Sequence, residues 1–103
     1  MTRGDPLPLL SAKETLILEM LTAARESYGL QLVDASGGRL KRGTVYVTLG
    51  RMEERGYVSS RAEEPRPGAI GLPRRLYRPT ALGRRLLEAR HVVERVLAWE
   101  GAR

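Results

Sequence analysis

The chemistry open to this sequence is concentrated in its cations. Between Arg39 and Arg85 lie twelve basic residues against four acidic ones (Glu53, Glu54, Glu63 and Glu64), a local net charge of +8. The first 38 residues carry three basic and five acidic groups, and the segment after Arg85 balances three against three. A cationic excess gathered in one stretch predicts a surface for a polyanion. The bland alternative is a solvated face in an arginine-rich chain, since 16 of the 18 basic residues are arginine. Charge alone does not separate DNA from RNA or from an acidic protein.

Other chemistries find little support. There is no cysteine, which excludes disulfides and thiolate metal sites. A single histidine, His91, excludes a multi-histidine cage. It could sense pH, but a helix histidine without a function is the simpler reading. Gly38-Arg39-Leu40-Lys41-Arg42-Gly43-Thr44 has the glycine spacing of a phosphate-binding loop but lacks the lysine before threonine and the preceding apolar strand. Ser36, Asp34 and His91 suggest no triad, because nothing indicates an oxyanion hole. The expectation is a protein that is not an enzyme and holds no cofactor or metal.

These residues need a scaffold, and 103 residues with 42% hydrophobic and 29% charged content suit one small domain. Its most apolar stretch, Leu16 to Ala24, contains Glu19 and is far short of the roughly 20 residues a bilayer requires. Leu7 to Leu10 is too short for a signal-peptide core, so no membrane partner and a cytoplasmic location are expected. Residues 1–10 read as a flexible arm. Ser11 and Glu14 have capping-box spacing, and Leu16, Ile17, Met20, Leu21 and Ala24 then follow a helical period to about Arg25. Ser27 could cap a second helix with Leu30, Val33 and Leu32 inward, ended by Gly37-Gly38. A third helix runs from Lys41 or Arg42 to Gly56 on the stripe Val45, Leu49, Met52. Residues 57–61 and 75–78 read as the strands of a hairpin around a Pro- and Gly-rich loop, and Thr80 caps a long last helix to about Trp99.

Three helices, a hairpin and a long helix describe a mainly α fold, a winged helix-turn-helix with a C-terminal dimerisation helix. The expected division is 11–79 for the winged helix and 80–103 for the dimerisation helix. Three stretches carry a resemblance to a known family. They are Tyr28-Gly29-Leu30-Gln31-Leu32, the run from Gly43 through Tyr46 and Arg51 to Val58, and the run from Arg74 through Tyr77 and Thr80 to Gly83. In these the chain resembles the PadR-like winged-helix transcriptional regulators, in the short form with one terminal helix. It departs from them at Ile70 and Leu72, where polar wing residues would be expected, and at Pro79 in place of an aliphatic strand residue. The resemblance implies a dimeric DNA-binding repressor.

With Val45 as zero on a helical wheel, Leu49 and Met52 fall within about 40° of it. Gly43, Val47, Gly50 and Glu54 face the other way, flanked by Thr44 and Arg51 on one side and Tyr46 on the other. That face suits a major groove: glycines permit close approach, Val47 can meet a thymine methyl, and Arg51 can reach guanine or a phosphate. Lys41, Arg42, Thr44 and Tyr46 suit phosphate contacts. The wing offers Arg61, Arg66, Arg74 and Arg75 to a minor groove, with Arg74 and Arg75 favoured, while Tyr77 is expected in the core.

On the last helix Leu82, Leu86, Ala89, Val93 and Val96 follow coiled-coil spacing, and Val92, Leu97 and Trp99 widen the arc. A homodimer through Leu86, Ala89, Val93, Val96, Leu97 and Trp99 would present two recognition helices about 34 Å apart to double-stranded DNA, on a pseudo-palindromic operator. Some multidrug-responsive members of the family stack flat aromatic effectors on a terminal-helix tryptophan. The resemblance thus admits a small aromatic effector near Trp99, although a plain interface anchor is favoured. The rival class is a winged-helix module that binds an acidic protein partner, and a weaker third is an RNA-binding accessory protein.

Overall fold

The computed structural model describes residues 10–64, 67–68, 71 and 73–101. In chain order the elements are α1 (Ala12–Ala24), β1 (Ser27–Tyr28), α2 (Gly29–Ala35), α3 (Arg42–Glu54), β2 (Val58–Ala62), β3 (Arg75–Pro79) and α4 (Ala81–Gly101). The three strands form one antiparallel sheet in the order β1-β3-β2. The architecture is a winged helix-turn-helix with an extra terminal helix. Residues 1–9 of the expected arm lie outside the described residues. Leu10, counted with that arm, is instead buried in the core, and its carbonyl accepts from Arg90 Nη1 of α4 at 2.6 Å.

Ser11 caps α1 as its spacing predicts. The Glu14 N–H donates to Ser11 Oγ at 3.1 Å, and the Ser11 N–H donates to Glu14 Oε1 at 2.8 Å. Glu14 is itself buried, and Arg55 at the end of α3 reaches its second oxygen at 3.4 Å. The inner face of α1 is wider than the expected stripe. Leu18 is fully buried, Met20 only partly, and Ala24 is exposed. The reason is position: α1 packs against α3, β3 and α4 together, and a helix enclosed on several sides buries more than one stripe.

The face of α2 also departs from expectation. Leu30 is exposed and Val33 half-buried, while Gly29, Leu32 and Ser36 point inward. That i, i+3, i+7 set is helical, but two of its members are not apolar, so hydropathy misses it. Ser27 does not cap this helix; it pairs with Tyr77 in β1, and Tyr28 occupies the cap position. Ser36 Oγ donates to the Val33 carbonyl and accepts from the Leu40 N–H at 2.9 Å, shaping the turn that delivers buried Leu40 ahead of α3.

In α3, Val45, Leu49 and Met52 are almost wholly buried, as the wheel requires, and Gly56 closes the helix at φ 81°. Pro79 fits its strand for a directional reason. The Thr80 N–H donates to the Tyr57 carbonyl, so by alternation the Pro79 nitrogen points to the opposite edge, beyond the two residues that β1 covers. Thr80 Oγ1 accepts from the Gly83 N–H at 3.0 Å and starts α4. A Cβ on Gly83 would stand 2.1 Å from the Tyr57 carbonyl oxygen, so this contact between α4 and the start of the wing admits only glycine.

Candidate nucleic-acid interface

Helix α3 turns an open face to solvent. Val47 is 54% exposed and Tyr46 47%, and Lys41, Arg42, Gly43, Thr44 and Arg51 are all exposed. Lys41, the N-cap, has no side-chain acceptor, which leaves the first amides of α3 open to an anion. Among the described residues Lys41, Arg42 and Arg51 make no ion pair with a carboxylate. A Cβ added at Gly43 or Gly50 would meet nothing within 4 Å. The fold therefore does not demand glycine at either position. At Gly50, inside the helix, this forgoes up to about 1 kcal/mol relative to alanine.

Tyr46 has a second task besides offering a hydroxyl. Its ring lies over Gly29, where an added Cβ would sit 2.6 Å from Cε1. The Tyr-Gly pair that opens α2 thus seats an aromatic ring of α3 and fixes the angle between the two helices of the turn.

The wing arginines are divided by strand parity. Ser60 pairs with Tyr77 and Arg61 with Leu76, so Ser60, Arg75 and Tyr77 share the face toward α3, and Arg61 and Arg78 the opposite one. On the α3 side the Ser60 hydroxyl donates to Glu53 Oε2 at 2.8 Å, and Arg75 Nε donates to Ser60 Oγ at 3.1 Å. This relay from α3 through β2 to β3 holds Arg75 beside the recognition helix. Burial pushes the Tyr77 phenol above its ordinary pKa, with the Glu53 carboxylate adding to the effect and Arg75 opposing it. Tyr77 is a core residue, as expected.

Arg61 and Arg74 are placed differently. Arg61 reaches back to Glu26, after α1, at 3.1 Å and does not join the α3 set. Arg74 pairs with Glu63 at 3.1 Å and lies 4.2 Å above the Tyr28 ring centroid, while the Tyr28 hydroxyl donates to the same carboxylate. Arg66, like Ile70 and Leu72, lies outside the described residues. Sequence reasoning passed over Ser60, Glu53, Glu63 and Tyr28, which orient these arginines. Their part becomes readable only once the hairpin register is known, since register decides which side chains share a face.

On α4, Leu87 enters the core and Leu86 packs partly against it. Ala89 is exposed, Arg90 and His91 are half-buried, and the turns from Val92 on are exposed: Val93 and Val96 are each 55% accessible, Leu97 64% and Trp99 66%. His91 Nε2 lies 3.0 Å from Glu19 of α1. Among the described residues no helix is long and apolar enough to cross a membrane.

The sequence matches the model of the transcriptional regulator PadR-like family over residues 17–89. The fold is similar to a PadR family transcription regulator from hypervirulent Clostridium difficile, with a TM-score of 0.69 and 26% identity over 85% of this chain and 92% of that one. A PadR family transcriptional regulator from Eggerthella lenta gives 0.68 and 26%, over 87% and 80% of the two chains. A MarR mutant from E. coli complexed with operator DNA gives 0.63 at 20% identity, over 80% of this chain and 54% of that one, a likeness of fold. No curated protein sequence matches.

Proposed function

Because the chain belongs to the PadR-like family of transcriptional regulators, which are not enzymes, we propose that it is a sequence-specific double-stranded DNA-binding repressor. It acts as a homodimer that occupies a pseudo-palindromic promoter site. Helix α3 lies in the major groove, with Val47 and Arg51 toward base edges and Lys41, Arg42, Thr44 and Tyr46 toward phosphates. The wing lies alongside, with Arg75 as its oriented cation. The observation that carries this reading is the exposed α3 face. It combines three cations outside the intramolecular ion pairs with two glycines that the fold does not require.

The distal part of α4 supports the dimer. Val92, Val93, Val96 and Leu97 form an exposed apolar strip on a helix that has left its own core, and a two-fold partner helix covers such a strip most economically. Trp99 is read as an anchor in that interface and not as a ligand seat. The division into a winged helix at 11–79 and a dimerisation helix from 80 onward follows.

Titration of a labelled random duplex across a salt series tests DNA binding. Lys41, Arg42 and Arg75 at phosphates give a log–log slope of about −2.7 per protomer, at about −0.9 for each phosphate neutralised. A flat salt response, or capture of acidic protein in preference to duplex, overturns the proposal. Selection of sites from a random duplex pool then yields an operator with two-fold symmetry.

A further inference from the structure

A second group of arginines converges on the side of the sheet away from α3. Arg25, Arg61, Arg78 and Arg84, together with Glu26, line a cleft of about 770 Å³ where the end of α1, the wing strands and the first turn of α4 meet. Leu21 and Pro79 give it an apolar floor. Among the described residues only Arg61 of the four has a carboxylate partner, Glu26 at 3.1 Å, so four cations line the cleft against the one carboxylate of Glu26. Arg25 is also the one non-glycine residue with positive φ, 74°, among the described residues. An arginine at φ 74° and ψ −45° is a strained way to end a helix, and such strain tends to mark a working position. Like charges so gathered repel one another until an anion joins them.

We propose that this cleft binds a small ligand carrying two or more phosphate groups. A single carboxylate cannot balance the cluster, whereas guanidinium forks match phosphate oxygens two at a time. The volume lies within the range of small-molecule sites. A notch walled by a helix end and a strand end admits a compact anion and not a duplex. Glu26 acts as the resident competitor, holding Arg61 until the ligand takes its place. Since Arg84 belongs to α4 and Arg61 and Arg78 to the wing strands, the bound ligand ties the base of the terminal helix to the wing. The site does not depend on the proposed DNA reading, because it involves none of the α3 residues.

Calorimetric titration of the full chain with pyrophosphate and with tripolyphosphate, at physiological salt, is the test. Saturable binding of one ligand per chain is expected, with sulfate much weaker. Arg78→Ala and Arg84→Ala each weaken it about tenfold or more, in line with the loss of a charged hydrogen bond, and Arg39→Ala leaves it unchanged. Glu26→Gln, which releases Arg61, tightens binding several-fold, a gain that a misfolded variant cannot imitate. Absence of saturable binding overturns the proposal, as does equal weakening by Arg39→Ala. Duplex titration of Arg78→Ala and Arg84→Ala should match the parent protein; a fall in their DNA affinity would assign these arginines to DNA and remove the ligand site.

Discussion

Gly50→Ala separates fold from function within one residue. Gly50 lies inside α3, and a Cβ there meets no atom within 4 Å. Alanine exceeds glycine in a helix interior by about 0.8–1 kcal/mol, and nothing in the surroundings of Gly50 subtracts from that. A gain of this size raises the thermal midpoint of a domain near this length by roughly 4–8 °C. Against a duplex the sign reverses. If α3 sits in the groove with Gly50 near the DNA, the added methyl forces a separation, and overpacking of a close contact costs about 1–3 kcal/mol, a loss of roughly 5- to 150-fold in affinity. Thermal melts at matched protein concentration and anisotropy titration on a fluorescent duplex read the two quantities independently. A variant that is more stable and binds DNA as tightly as the parent refutes the close approach. A variant with no gain in stability refutes the reading of Gly50 as a residue the fold merely tolerates.

Gly83→Ala should do the opposite to stability, lowering it by about 1–3 kcal/mol in urea titration, because its Cβ would press on the Tyr57 carbonyl. Arg51→Ala should weaken a selected operator by about 1–3 kcal/mol more than random duplex; equal losses would assign Arg51 to a phosphate. Val93→Glu places a carboxylate in the exposed strip of α4 and should yield monomers in analytical ultracentrifugation, an unchanged mass excluding this strip as the dimer seam. Tyr77 supplies a pH prediction. Its phenol is held above the ordinary value of 10.0, so below that pH both folded and unfolded chains keep the proton and stability is unaffected. As pH rises past it the unfolded chain loses its proton first, and stability falls until the folded phenol ionises too. Alkaline melts of Tyr77→Phe should lack that component, and superimposable pH profiles would rule it out.

How much of this was legible beforehand depended on the range over which each rule operates. The Ser11–Glu14 box, the α3 stripe, Gly56 as a stop and Thr80 as a cap obey rules with fixed offsets of a few residues, and the structure has each of them. The face of α2 was not legible, because Gly29 is buried to seat the remote Tyr46 ring and Ser36 to bond the Leu40 amide; hydropathy marks neither residue as inward. Strand β1 has two residues, too few for alternation to show. The terminal helix was legible as an unmatched apolar arc, but Leu87, outside the expected seam, is the residue that enters the core.

The wing arginines show the same limit acting on function. Composition supplies a cluster of cations; the hairpin register sorts it, and a shift of one residue would exchange the faces. With Arg61 opposite Leu76 and Ala62 opposite Arg75, one arginine is steadied beside α3 by Ser60 and Glu53 while another is turned to Glu26 on the far side. Glu63 and the Tyr28 ring then hold Arg74 at the loop end of the wing strands. Net charge therefore overstates what one surface can offer to a duplex. The same sorting gathers Arg61 and Arg78 with Arg25 and Arg84 into a separate concave group. A cationic stretch that reads as one surface along the chain becomes two in the fold, one convex and set on a helix face, the other recessed between elements. Their shapes suit anions of different size, which is the physical ground for assigning them different partners.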